Sequence, residues 1–224
     1  MNPKPKPTRS TRSRIKVKAV VKSAKRKKGH WHGICPMCGE ISHSKQEIKH
    51  DFYCTGEIPL IAVKKNQTDR QLLCMALDEL CRRITTWRDG CNCVLGETDG
   101  GRCSNDSTWG HVIPQGSNSY LIYNLSNSFR QCSTHNGIHR FVQLTYHLWY
   151  QMKFGKLALA ILEKEKNDHP RSNFSVADYR EILVELSMMY QNRYAYSTAT
   201  MTEKVAAGFY GSVIRDAWIK EGKV

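Results

Sequence analysis

The chain contains no stretch of about 18 apolar residues, so no segment is long enough to span a bilayer as a helix. A secretory leader is not expected: the first residues are basic, and Ala19–Val21 is too short for a signal-peptide apolar core. The nine cysteines cannot all pair, because an odd count leaves one thiol over in any disulfide scheme. No internal repeat is visible. These absences argue against a membrane protein and against a disulfide-stapled secreted domain. A reducing, cytoplasmic setting is expected instead, where clustered cysteines bind metal before they form disulfides.

Acid is the next thing missing, and its absence is local. Residues 1–28 carry no Asp or Glu but hold 12 of the 34 Lys and Arg side chains. The rest of the 224-residue chain has 22 basic and 20 acidic groups and so supplies only +2 of the total +14. A +12 arm on a near-neutral body attracts polyanions by neutralising phosphates and releasing counterions, without reading sequence. Lys25, Arg26, Lys27 and Lys28 form its densest run. Pro3, Pro5 and Pro7 alternate with lysines, and residues 1–29 are expected to be disordered. A solubilising or merely unstructured tail is the alternative reading of the same composition.

Residues 30–58 are compact and rich in Cys and His, and Pro59–Asn66 reads as a brief link. A helix is expected over about Thr68–Thr86, where Leu73, Leu77, Leu80 and Ile84 form an apolar stripe. Cys74 and Cys81 lie on that helix, seven residues and roughly 10 Å of rise apart. That is too far for a disulfide, so they read as core or near-core thiols. Residues 88–136 are rich in Gly, Asn, Ser and Cys and should form hairpins and loops held by something other than an apolar core.

Helices return after this region. Phe141, Leu144, Leu148 and Met152 share a face, and Gly155 stands where that helix would stop. Leu157–Glu165 gives a short helix, and Ser175 with Asp178 resembles a capping box opening another. Thr202 is expected to cap a last helix running towards Trp218. The aromatic stripe Tyr146–Tyr150 reads as core rather than as a base-stacking platform.

Two groups of metal ligands stand out. Cys35-Pro-Met-Cys38, then His50 and Cys54, have the ligand types and spacing of a structural zinc site, C-x2-C-x11-H-x3-C. His43 is a rival for His50, and His30 and His32 precede the first knuckle. So short a region has too few apolar residues to fold alone, and metal would supply its folding free energy. The second group is Cys93, Cys103, Cys132 and His135, with Cys91 as a rival for Cys93. One residue of extended chain separates Cys91 from Cys93, which puts them on opposite faces, and Cys93 is preferred.

Between the knuckles lie Gly110-His111-Val112-Ile113-Pro114, then Gly116-Ser117, then Asn127 and the run Cys132-Ser-Thr-His135-Asn136. This succession resembles the ββα-metal (HNH) nucleases, and most nearly the NinG (Rap) recombination endonucleases of lambda-type phages. The resemblance covers about residues 70–192. It implies an α+β fold, in which a small zinc-stabilised, treble-clef-like ββα-metal core carries flanking helices. The implied organisation is a basic arm (1–29), a zinc finger (30–58), a nuclease domain (68–192) and a C-terminal helical extension (193–224).

In the resemblance, His111 takes the position of the general base. Asn127 falls where an Asn holds that imidazole through its backbone or amide. Asn136 occupies a metal-ligand position, and His139 is a second candidate one turn on. Many HNH sites carry Asp or His directly before the base. The NinG-like group shares this chain's Gly110 but often has an acid three residues before the base, where this chain has Thr108, and Asp106 is the nearest acid. A site so poor in acid would bind a largely hydrated Mg²⁺ or Mn²⁺ weakly. Trp109 reads as packing beneath the site, and Arg130 and Arg140 are candidate phosphate contacts.

The expected protein is a metal-dependent DNA endonuclease with two structural zinc ions, acting on duplex or branched DNA in phage recombination or genome processing. If phage-encoded, it would act in the host cytoplasm. The alternative is a non-catalytic zinc protein that binds nucleic acid, such as a transcription or packaging factor, and a ribosome- or RNA-associated factor is a third class. Oligomeric state is not readable from the sequence.

Overall fold

A computed structural model of the chain describes residues 32–42, 54–63, 66–90, 92–96, 103–104, 106, 108–116, 119–137, 139–169 and 174–224. The basic arm, His50 and Cys91 lie outside them. The elements run β1 (His32–Ile34), β2 (Ile41–Ser42), β3 (Ile61–Val63), α1 (Asp69–Asp89), β4 (Thr108–His111) and β5 (Ser128–Gln131). Then come α2 (Ser133–Gly137), α3 (His139–Phe154), α4 (Lys156–Asp168), α5 (Val176–Asn192), a 3-10 turn (Arg193–Tyr196), α6 (Met201–Ala206) and α7 (Gly211–Lys220). The architecture is α+β.

Local capping chemistry starts three of the helices. Thr68 accepts the backbone N–H of Gln71, whose side chain accepts that of Thr68, and the same reciprocal bonding joins Ser175 to Asp178 and Thr200 to Glu203. Leu73, Leu77, Leu80 and Ile84 of α1 are all buried, as their spacing predicts, and so is Cys81. Gly155 joins α3 to α4 at φ 98°, a conformation that side chains resist, so the chain turns there without a linker.

Three expectations change. Part of the link at 59–66 is a strand: β3 pairs antiparallel with β1, which also pairs with β2, in a three-stranded sheet. The helix after the last cap is interrupted, with Thr200 rather than Thr202 as its cap, and Gly208 (φ 84°) separates α6 from α7. Finally, α3 is rotated from the face expected of it. Leu144, Leu148 and Met152 are 73%, 51% and 84% exposed, while Tyr146, Tyr150 and Phe154 point inward. Both sets repeat every four residues, and the aromatic one buries the larger area. Tyr146 and Tyr150 are therefore core.

Two apolar clusters result. One joins the finger to the helices: Ile34, Met37 and Ile58 pack with Leu73 and Leu77 of α1 and Tyr179 and Leu183 of α5. The finger thus shares its core with the body. The other cluster gathers Val112, Ile113, Leu121 and Phe129 from the β4–β5 region with α3, α4 and α7. Residues 88–136 are accordingly held by apolar packing as well as by the cysteine cluster. The last 30 residues belong to this second core, since Trp218 Nε1 donates to the Phe154 carbonyl at 2.9 Å and Ser126 Oγ donates to that of Tyr210 at 2.8 Å.

Candidate functional site

Cys93, Cys103, Cys132 and His135 converge, their ligand atoms all within 4.8 Å of one another. His135 Nδ1 lies 3.4, 3.6 and 3.2 Å from the sulfurs of Cys93, Cys103 and Cys132. A tetrahedral zinc with ordinary Zn–S and Zn–N lengths sets ligand atoms roughly 3.5–3.8 Å apart, so the donor set fits that metal. The local folding explains the convergence. Gly96 N–H bonds to the Cys93 carbonyl in a tight turn, and Val94 N–H bonds to the Arg130 carbonyl, which fastens the turn to β5. Helix α2 begins directly after Cys132, whose sulfur accepts the His135 N–H.

Burial opposes ionisation of Cys132, but hydrogen bonds from His135 and Ser104 outweigh it and bring the thiol to about 6. Burial and the neighbouring sulfurs of Cys93 and Cys132 push Cys103 up to about 12. A second thiolate is thus unwelcome here without a cation to balance it.

Cys35, Cys38 and Cys54 form a second convergent group, with Cys35 and Cys54 sulfurs 3.5 Å apart. The Gly39 N–H bonds to the Cys35 carbonyl and closes the knuckle turn. His50, the expected fourth ligand, is outside the described residues, as is its rival His43. Both groups of cysteines could hold metal ions.

His111 ends β4 and is 6% exposed. Its Nε2 lies 2.9 Å from the Ile122 carbonyl, which can only accept. The neutral ring therefore carries its proton on Nε2 and its lone pair on Nδ1. Trp109 presents a ring edge to the imidazole, centroids 4.5 Å apart, and stacks on Tyr123. It is packed beside the site, as expected.

Asn127 acts one step away from the imidazole. Its Oδ1 accepts the Ile113 N–H at 2.7 Å, and its Nδ2 donates to the carbonyls of Ile113 and Leu121. Its own carbonyl accepts the Val112 N–H. Asn127 thus clamps both ends of the loop after β4, and that loop offers the Ile122 carbonyl to His111.

Asn136, near the end of α2, donates from Nδ2 to Thr108 Oγ1 at 3.2 Å. It and His111 line one open cavity of about 410 Å³, together with Thr108, Trp109, Pro114 and Gln115. The chain thereby brings an imidazole and a side-chain amide to one cavity beside the Cys93–His135 cluster.

Other candidates fall elsewhere. The Asp106 carboxylate accepts the Ser104 hydroxyl and the Ser133 N–H, which lower it to about 2 and use it to cap α2. Arg130 is buried rather than presented to a phosphate, and its guanidinium donates to the Gly90 carbonyl. His139 and Arg140 begin α3, and their side chains are outside the described set, as are Lys25, Arg26, Lys27 and Lys28. Sequence reasoning missed Ser104, which accepts the Thr134 N–H and steadies the knuckle helix, and Gln131, which covers Gly110. The signal for Gln131 was the glycine itself. No family model, curated protein or solved structure matches the chain.

Proposed function

We propose that the chain is a metal-dependent DNA endonuclease of the ββα-metal (HNH) kind, with structural zinc in both cysteine clusters. The reading rests on one observation above all: His111 and Asn136 share the cavity beside the Cys93, Cys103, Cys132 and His135 cluster. The β4–β5 hairpin followed by α2 supports it, because that order puts base and ligand on adjacent elements.

In this reading His111 Nδ1 takes a proton from water as the water oxygen attacks phosphorus, and the bond to the leaving sugar oxygen breaks. Ile122 holds the ring in the tautomer that leaves Nδ1 basic, and Asn127 holds the loop that carries Ile122. Asn136 Oδ1 would hold a divalent cation, Mg²⁺ or Mn²⁺, which when bound stabilises charge on the phosphate and leaving oxygen. Trp109 limits the ring's motion. The basic arm supplies duplex or branched DNA at raised local concentration. Among the described residues no helix is long and apolar enough to cross a membrane.

The test is nicking of supercoiled DNA by zinc-loaded protein with added Mn²⁺, repeated with His111→Ala. Loss of nicking in the variant, with zinc content and folding kept, is expected. Wild-type protein that leaves supercoiled, linear and four-way DNA intact would instead establish a non-catalytic zinc protein.

A further inference from the structure

Gly110 stands directly before the candidate base, and it leaves that position without a side chain. The structure shows what occupies that space. A Cβ placed at residue 110 would lie 1.6 Å from Oε1 of Gln131 and 3.1 Å from Oδ1 of Asn136. Two amide oxygens from different elements, β5 and α2, are therefore neighbours over one glycine. The register explains how they meet: Gln131 pairs with Thr108, so its side chain shares a sheet face with residue 110.

Gln131 is fully buried, and among the described residues neither Oε1 nor Nε2 has a hydrogen-bond partner. A buried amide with nothing to bond is costly, and folded proteins keep few of them without a ligand, ion or water to answer it. Asn136 differs in that its Nδ2 is engaged by Thr108, so its Oδ1 is the atom left to face a cation.

We propose that Gln131 is the second protein ligand of the divalent-cation site, its Oε1 acting with Asn136 Oδ1 over Gly110. This rests on the nuclease reading, and it accounts for the missing acid. Gln131 lies behind the cavity wall, so a cation between the two neutral oxygens would take its waters from the cavity side that Asn136 and His111 line, which suits a hard ion held weakly, such as Mg²⁺ or Mn²⁺. Glycine at 110 is required because any side chain would take the volume that the amide fills.

The test is direct Mn²⁺ binding to the zinc-loaded full chain, followed by loss of the free-Mn²⁺ electron paramagnetic resonance signal. Gln131→Leu should weaken binding roughly 10-fold or more, the usual effect of losing a group that supports a metal. Its Tm should not fall, because the apolar side chain removes an unpartnered amide. Gln131→Glu should tighten binding by adding charge, which a purely structural glutamine would not do. Gly110→Ala, which pushes the amide aside, should weaken binding as Gln131→Leu does. Unchanged Mn²⁺ affinity in both Gln131 variants overturns the role of Gln131 alone. Failure of the wild type to bind Mn²⁺ overturns this role and the catalytic-metal reading together, while zinc content and folding report separately on the cysteine clusters.

Discussion

The carboxylate of Asp89 accepts the backbone N–H of Arg130 at 2.9 Å, tying the end of α1 to the middle of β5. The same carboxylate is paired with Arg88, and both side chains are almost wholly buried. Arg88 in turn donates to the carbonyls of Leu125, Ser128 and Phe209. One ion pair thus joins α1, the hairpin beneath the candidate site and the C-terminal helices. Asp89→Ala should leave Arg88 charged and unpaired inside the protein, at a cost of about 3–5 kcal/mol. Thermal or urea unfolding measures this. A change within experimental error would show that water reaches the pair.

Local chemistry was legible, and distant pairing was not. The Thr68 and Ser175 starts follow from side chains three residues apart, so a linear reading finds Ser175 at once. Preferring Cys93 to Cys91 needed only the alternation of extended chain; Cys93 lies in the cluster, and Cys91 is outside the described residues. Strand β3 was read as a link because three residues become a strand only by pairing with His32–Ile34, some 30 positions earlier. The inward face of α3 was ambiguous because aliphatic and aromatic stripes have the same period. Arg130 was read as a phosphate contact because arginines are usually exposed, yet all four residues of β5 are buried. Gln131 was legible only indirectly, through the glycine at 110 whose missing side chain leaves it room.

Acid should loosen the finger from the body. Glu57 accepts hydrogen bonds from Arg193 and Tyr194, and the arginine bonds are the main cause that holds its carboxyl below the usual glutamate range. A carboxyl whose folded pKa is depressed contributes stability that is complete above its unfolded value and is lost as pH falls through the lowered one. Glu57→Gln should therefore reduce stability at neutral pH and make the decline below pH ~4.5 shallower than in wild type. Unfolding midpoints of the two proteins across pH 3–7 test this, and parallel curves would remove the Glu57–Arg193 pair from the stability of the finger.

Metal content should track the two cysteine clusters independently. Wild-type protein should hold two zinc ions per chain, and Cys132→Ser or Cys35→Ser should each lose one. Cys132→Ser should also melt α2, whose first turn is built on that residue, and with it displace Asn136. Cys81→Ser, in a buried thiol outside both clusters, should keep two. Elemental analysis settles the count. A Cys132→Ser protein that retains both ions would exclude this cluster as a zinc site.

His111→Ala should lower the nicking rate by roughly 10²–10⁴-fold, the range ascribed to a positioned general base. The ring is held by Ile122 and packed by Trp109, so its removal leaves a small cavity at the edge of the hairpin rather than a broken core. Asn127→Ala should be worse for folding than for chemistry, since it frees backbone groups of Ile113 and Leu121 inside the protein. Comparing the loss of rate with the loss of Tm in the two variants separates the roles. Equal nicking by His111→Ala and wild type would end the case for His111 as base.

Deleting residues 1–28 should separate delivery of DNA from its cleavage. Those residues hold 12 basic groups and no acid, while the remainder sums to +2. Each phosphate neutralised contributes about 0.9 to the slope of log K against log salt on duplex DNA. The truncated protein should bind more weakly at physiological salt and show a flatter slope by several units, with RNA and duplex DNA affected alike. Its zinc content, Tm and single-turnover cleavage at saturating protein should stay as in the full chain, because no residue of the candidate cavity is removed. Unchanged affinity and slope would reduce the arm to a solubilising tail. Binding of DNA would then fall to the body, whose Arg130 is turned inward.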